Sequence, residues 1–437
     1  MNAIIQKLEP IVGDAIASWE NLKPVWQERI ANVNTPENFP SCIVYPNTGD
    51  ELKSVIHKTY NNNLCVLPCG SGSKLGWGGV GKKVDVVVST ERLNRVIEHA
   101  VGDLTVTVEA GVKFADLQEI LLKTGQFLPL EPAYPQEATL GGIVATADSG
   151  SLRHRYGGIR DMLLGISFIR SDGQVAKAGG RVVKNVAGYD LMKLFTGSYG
   201  TLGIITEVTF RLYPVAEAAA TVVLSGDQEA IASATKILLA SALTPTAADL
   251  LSTQLVRKLG FGQGIGLMVR FQSVTQSVKE QSSRLLEIGQ KLGLLETLYT
   301  DADEDYLWQS LPEYIWSTPQ KPVITCKIGV LPTAAVSTLT ELARLSSSSG
   351  LGLIHAGSGL GLLQLDPSTV TPKTIMEMRQ YCQAQKGFLT VLEAPINFKQ
   401  QLDVWGYNGN ALQIMRQIKQ QFDPKNLLSP NRFVGGI

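Results

Sequence analysis

The sequence predicts an α+β fold spread over more than one domain, and three observations predict it. The chain has 437 residues, more than one compact core usually holds. From Cys42 onward short apolar runs alternate with amphipathic stretches, so strands and helices are interleaved. Near Val215 glycine-punctuated segments give way to Ala-, Ser- and Leu-rich helices alternating with strands, which marks a domain boundary. The divisions read from this are an N-terminal helical segment (1–34), a glycine-rich domain (35–215), a second domain (216–393) and a C-terminal segment (394–437).

The elements follow in order. Ile4, Ile5, Leu8, Ile11, Val12 and Ile16 recur on a helical period. Residues 43–46 are strand-like, and Thr48, Gly49 and Asp50 start a helix that runs to Asn61. Residues 64–67 form a strand leading into a glycine loop. Val84 to Val88 is apolar apart from Asp85, as in a strand buried on both faces. Residues 105–109 alternate apolar and polar, and 114–123 read as helix. Strands at 165–170 and 174–178 flank the turn Ser171-Asp172-Gly173. A helix at 188–195 and a strand at 203–212 complete this part. Beyond it lie helices at 228–240, 278–292 and 334–345 and strands at 265–271 and 323–330.

Composition narrows the function. Hydrophobic residues make up 44% and charged residues 18%, an ordinary globular mix. Lys plus Arg equals Asp plus Glu at 39 each, which weighs against general binding of nucleic acid. The five cysteines are scattered, with no Cys-x-x-Cys pair, so neither a disulfide framework nor a thiolate metal site is expected. The first thirty residues carry acids, Pro10, Pro24 and two tryptophans in place of a signal segment. No run approaches the ~18 apolar residues of a spanning helix. A cytoplasmic protein is expected, touching a membrane only through partners. Neither a Gly-x-Ser-x-Gly elbow nor a His-Glu-x-x-His helix is present, which argues against hydrolases.

Two segments carry the chemistry. Pro68-Cys69-Gly70-Ser71-Gly72-Ser73-Lys74-Leu75-Gly76-Trp77-Gly78-Gly79 follows a strand. Glycine allows close approach and positive φ, so the backbone amides of such a loop can face an anion. Its Gly-x-Gly-x-x-x-Gly spacing is neither a Rossmann fingerprint nor a P-loop. It reads as a phosphate or pyrophosphate cradle of another type, or as a glycine-rich surface turn. The second segment, Ala138 to Gly150, is almost entirely small residues. Such a stretch admits a large planar ligand or packs a helix closely on a sheet. Together the two favour one extended cofactor lying between them.

These motifs resemble the FAD-binding domain of the vanillyl-alcohol oxidase and cresol methylhydroxylase family. The likeness also includes Arg155-Tyr156-Gly157-Gly158-Ile159-Arg160-Asp161, Gly188-Tyr189-Asp190-Leu191 and Gly200-Thr201-Leu202-Gly203-Ile204-Ile205-Thr206-Glu207. It covers about 35–215 and the tail Phe422-Asp423-Pro424-Lys425-Asn426-Leu427-Leu428-Ser429-Pro430. The resemblance implies a two-subdomain FAD-binding domain plus an α/β cap, with the C-terminal segment returning to the FAD-binding domain. It places Pro68, Gly70, Ser71, Gly72, Ser73, Lys74 and Leu75 around the pyrophosphate. Thr139, Gly141, Gly142 and Ala145 would face the flavin and ribityl chain. Gly150, Tyr156 and Gly157 would shape the adenine side, and Gly203, Ile204 and Ile205 would contact the adenine end. Many relatives bond the flavin covalently through a loop histidine. This loop has Cys69 and no histidine, so non-covalent FAD is expected.

Within the family the likeness is greatest to 2-hydroxy-acid dehydrogenases of the glycolate oxidase type. Their catalytic subunit carries His-x-x-Gly-Asp-Gly-Asn-x-His and Glu-His-Gly-x-Gly motifs. Here the corresponding places read His355-Ala356-Gly357-Ser358-Gly359-Leu360-Gly361 and Thr390-Val391-Leu392-Glu393-Ala394-Pro395. That depletion resembles the E subunit of bacterial glycolate dehydrogenase. It implies a related catalytic flavin subunit and an iron–sulfur subunit as partners, oxidising glycolate to glyoxylate. The alternative is a self-sufficient FAD oxidoreductase acting on another alcohol or hydroxy acid; a third reading is a flavin-free scaffold. Among the four histidines, His57 and His99 read as surface residues. His154 reads as a flavin contact or a solvated loop residue, and His355 as a working acid or base or a structural remnant. Arg153, Arg155 and Arg160 would bind a carboxylate or phosphate, or face solvent or a partner. Trp308, Trp316 and Trp405 read as core or interface anchors.

Overall fold

The apolar runs of the first third pair as a sheet in the order Ile16–Ser18, Cys42–Val44, Val86–Ser89, Val66–Cys69. The last three are parallel, and every residue of Cys42–Val44 and Val86–Ser89 is buried, as the apolar run Val86-Val87-Val88 requires. The computed structural model describes residues 3–34, 36–181, 188–316 and 322–437. It divides into two compact units: Met1–Ser149, Gly158–Val215 and Tyr407–Ile437 form one, and Gly150–Gly157 with Ala216–Gly406 the other.

In the first unit, helix Gly49–Asn61 starts where Thr48 Oγ1 accepts the amide of Glu51 at 3.1 Å. Helix Ala3–Val12 lays Leu8 and Val12 into the same core as its Leu52, Val55 and Ile56. A second, antiparallel sheet runs Val96–Ala100, Thr105–Glu109, Ile204–Arg211, Leu163–Ile169, Val175–Gly179. His99 therefore lies in a strand, where its Nε2 meets Gln126 Oε1 at 2.9 Å. The two sheets are the two subdomains of this unit.

The small-residue segment contains a helix the sequence pattern does not announce. Leu140–Thr146 is helical although two glycines and three β-branched residues lower its propensity. Thr139 caps it, accepting the Gly142 amide at 3.3 Å. Tertiary packing settles the rest: the amides of Leu140 and Gly141 donate to the carbonyls of Val112 and Ala110. The C-terminal helix Leu412–Phe422 belongs to this unit as well. The buried Lys419 Nζ donates to Asp423 at 2.6 Å, to the Thr201 carbonyl at 2.9 Å and to the Leu428 carbonyl at 2.8 Å. Residues 427–429 then run beside strand Val66–Cys69, with Val66 donating to Leu427 and Ser429 to Val66.

The second unit is an eight-stranded sheet in which every pairing is antiparallel. Period two sorts its side chains. Val222, Leu224, Ala248, Leu250, Leu267 and Val269 share one core with helices Gln228–Ala240, Thr275–Lys291, Ala335–Leu345 and Pro372–Ala384. Val223, Leu251 and Met268 share another with the shorter helices Thr253–Lys258 and Asp301–Ser310. Trp308 anchors this second side: its Nε1 donates to Thr221 Oγ1 at 2.9 Å, and Trp316 packs against the same core. Trp405 packs against the first. Among the described residues, no helix is long and apolar enough to cross a membrane.

Candidate functional site

The glycine loop forms one wall of a cleft of about 780 Å³ in the first unit. The loop leaves the carboxyl end of strand Val66–Cys69, next to Thr90 at the end of the parallel strand Val86–Ser89. Ligands of parallel sheets gather at such ends. Gly70 is buried, and a Cβ there would lie 2.0 Å from Thr139 Oγ1, so only glycine lets the loop touch the cap of helix Leu140–Thr146. Gly72 adopts φ +82°, the left-handed region that glycine tolerates.

The loop is tied down by its carbonyls. Gly70 O accepts from Ser89 Oγ at 2.9 Å, and Ser71 O from Arg29 Nη1 at 2.6 Å. Ser71 Oγ donates to the Glu137 carbonyl at 2.6 Å, and Arg29 pairs with Glu137. The buried Arg432 reaches the carbonyls of Leu75, Trp77 and Gly79. The amides behave differently. Among the described residues those of Gly70, Ser71, Gly72, Ser73 and Lys74 donate to no protein acceptor, although all but Ser73 are buried. Buried backbone donors are nearly always satisfied. Five in succession around a positive-φ glycine form an anion nest. These residues fit a bound pyrophosphate, and the small Gly141, Gly142 and Ala145 leave room beside it for a flat ring.

Residues 40–179 match the FAD binding domain family, and 405–433 match the C-terminal domain of FAD linked oxidases. The chain carries a FAD-binding domain and a C-terminal segment of the FAD-linked oxidase type. It is 26% identical to the mitochondrial D-lactate dehydrogenase [cytochrome] of Arabidopsis thaliana, covering 91% of this chain and 74% of that one. It is 24% identical to glycolate oxidase subunit GlcD of Bacillus subtilis (strain 168), over 93% and 96%. It is 32% identical to a D-2-hydroxyglutarate dehydrogenase of Xanthomonas citri, over 40% and 37%. The fold is that of p-cresol methylhydroxylase, with TM-score 0.74 at 15% identity over 98% of this chain and 96% of the other. It is equally that of 4-ethylphenol oxidase from Gulosibacter chungangensis, with TM-score 0.75, 15% identity and the same coverage.

The cleft gathers most of the residues singled out in the sequence: Pro68, Gly70, Ser71, Gly72, Ser73, Lys74, Leu75, Thr139, Gly141, Gly142, Ala145, Gly203, Ile204 and Ile205. Gly150, Tyr156 and Gly157 are not in its wall. Residues 150–157 pack with the second unit, where the short helix Arg153–Tyr156 contacts strand Ala247–Leu251. Lys74 lines the cleft, but its Nζ is held by Asp148 Oδ2 at 2.9 Å, both side chains being nearly buried. Sequence reasoning missed Leu67, Thr90, Thr146, Ser198, Tyr199, Gly200 and Arg432 as wall residues. Thr90 was accessible from strand pairing. Arg432 was not, because its partners are carbonyls 353 or more positions away. Cys69 is also in the wall, and burial pushes its thiol up, so it carries no thiolate. Burial, with the Asp148 carboxylate, likewise raises Tyr199 and keeps its phenol protonated.

His355 lies in the second unit, on strand Leu351–His355, directly across from Asp249. Both sit on the sheet face away from the four longer helices, since Ala248, Leu250, Ile354 and Ala356 point into that core. His355 Nδ1 meets Asp249 Oδ1 at 2.6 Å, and both side chains are buried. A carboxylate there holds the Nδ1–H tautomer and leaves Nε2 to accept a proton. Nε2 makes no hydrogen bond among the described residues. His154 adjoins: a Cβ on Gly357 would lie 2.8 Å from its Nδ1. Burial lowers the His154 imidazole; the Asp249 carboxylate opposes that shift and His355 adds to it. Arg155 and Arg160 are exposed. Ser149 Oγ accepts the amide of Ile159 at 3.0 Å and Asp161 Oδ2 that of Gly158 at 2.9 Å.

Proposed function

We propose that the chain oxidises the CH–OH group of a 2-hydroxy acid, as a flavin subunit of a complex that converts glycolate to glyoxylate. The anion nest carries this reading, because five successive amides without a protein acceptor among the described residues, four of them in buried residues, ask for a pyrophosphate in a FAD-binding domain. Relatives named for D-lactate, glycolate and D-2-hydroxyglutarate supply the substrate class. Bound FAD supplies the two-electron acceptor for the substrate's C–H hydrogen. The amides of Gly70 to Lys74 hold the pyrophosphate, while Thr139, Gly141, Gly142 and Ala145 border the flavin. Ile204 and Ile205 border the adenine end. Where this chain itself meets a substrate, His355 is its candidate acid or base, with Asp249 fixing its tautomer. A related catalytic flavin subunit and an iron–sulfur subunit are the expected partners, in the cytoplasm.

The Asp249–His355 pair also favours a second reading, in which the chain turns over a hydroxy acid unaided. One experiment separates the two. The purified chain is checked for flavin absorbance, then assayed with glycolate, D-lactate and D-2-hydroxyglutarate and an artificial electron acceptor. Turnover by the chain alone, lost in His355→Ala, selects the self-sufficient enzyme. A yellow but inactive chain that gains activity only with a co-purifying flavoprotein selects the subunit.

A further inference from the structure

The charge balance of the cleft differs from what its sequence suggests. Of the residues in its wall only Lys74 and Arg432 carry charge. Lys74, in the glycine loop, is the obvious partner for a diphosphate, yet it forms a nearly buried ion pair with Asp148. Asp148 is itself fixed by the Ala133 amide at 2.8 Å. The pair contributes no net charge. Arg29, which also holds the loop, is balanced by Glu137. Arg432 has no carboxylate partner among the described residues, although it is 4% exposed. Its hydrogen bonds go to the carbonyls of Leu75, Trp77 and Gly79, neutral groups that orient the guanidinium without cancelling it. Burial lowers its pKa to about 10, with Tyr199 opposing the shift, which leaves it charged at neutral pH.

A buried cation without a counter-anion is costly, and an anion in the same low-dielectric space removes the cost. The five unpaired amides of Gly70 to Lys74 mark where that anion sits. We infer that Arg432, not Lys74, supplies the positive charge that holds the cofactor's diphosphate, acting through the loop it clamps. The inference rests on the cleft being the FAD site. It also explains why the tail returns to this unit. Residues 427–432 bring a cation under the loop, so cofactor affinity depends on a residue at the far end of the chain.

The test is FAD affinity of the apoprotein, measured by fluorescence quenching, for a set of variants. Arg432→Lys keeps the charge and loses the three-carbonyl fork. Arg432→Gln keeps two donors and loses the charge. The charge reading expects Gln to weaken FAD on the order of 100-fold and Lys to retain most of the affinity. Asp148→Asn, which releases the Lys74 charge, should tighten FAD and partly restore the Arg432→Gln variant. Should the Arg432 variants fail to fold, the wild-type apoprotein suffices: inorganic pyrophosphate should raise its melting temperature and compete with FAD. Equal loss in Lys and Gln, or wild-type protein that binds FAD but is indifferent to pyrophosphate, overturns the role of Arg432. Wild-type apoprotein that binds neither FAD nor pyrophosphate overturns the cleft itself.

Discussion

The cleft of the first unit and the imidazole pair of the second are built on opposite principles. The cleft is mostly main chain. Contiguous stretches present amides and small surfaces, and the side chains that matter hold the backbone in place. The pair is side chain on side chain, Asp249 and His355 meeting across a sheet although 106 positions apart. A main-chain site announces itself in sequence, because only glycine and small residues permit it. A side-chain site announces only its members, and a single histidine says little until its partner is known.

This contrast can be broken at several points. The largest effect is expected from Gly70→Val, whose side chain would overlap the Thr139 side chain. Purified protein should be colourless and refuse added FAD, while the downfield Nδ1–H resonance of His355 persists. Loss of that resonance as well would show that the two regions do not stand independently. Next is Lys419→Met, which leaves the fully buried Asp423 carboxylate without its cation. It should cost about 3–5 kcal/mol in denaturant unfolding. A cost under about 1 kcal/mol would mean that the tail is not fastened through this residue.

Asp249→Asn should reduce turnover on the order of 100-fold at unchanged flavin content, the scale of general-base catalysis. The downfield imidazole proton should vanish with it. Unchanged turnover in an active enzyme would reduce the pair to a structural contact. A subtler effect concerns His154, whose pKa burial sets below the ordinary value of 6.5. As pH falls through 6.5 the unfolded chain takes up a proton that folded His154 resists. The unfolded state then binds more protons, and stability declines until the folded imidazole titrates too. Urea midpoints should therefore be lower at pH 5.5 than at 7.5, and the difference should shrink in His154→Gln. The smallest effect is expected from Cys69→Ala. Flavin content should be unchanged, and acid precipitation of either protein should release all of the flavin.

Much of the fold was legible. The apolar run Val86-Val87-Val88 became a buried parallel strand, and Thr48 capped the helix it announces. Helix Leu140–Thr146 was not, because glycine and β-branched residues form it only once Thr139 and the Ala110–Val112 backbone receive its first amides. Gly150, Tyr156 and Gly157 read as cofactor residues from their neighbours in sequence, yet the chain crosses to the second unit there and returns at Gly158. A motif records adjacency along the chain and not where the chain goes.

What the sequence determined by itself is the glycine loop and its purpose. The spacing offered an anion cradle or a surface turn, and the structure shows why glycine is needed: Gly70 approaches Thr139 closely and Gly72 turns through positive φ. What only the tertiary structure decided is the charge around it. Lys74 stands in the loop yet is neutralised by Asp148, while Arg432, over 350 positions downstream, lies buried beneath it with no counter-ion among the described residues. Electrostatic energy depends on distance and on exclusion of water, and neither is written in the order of residues.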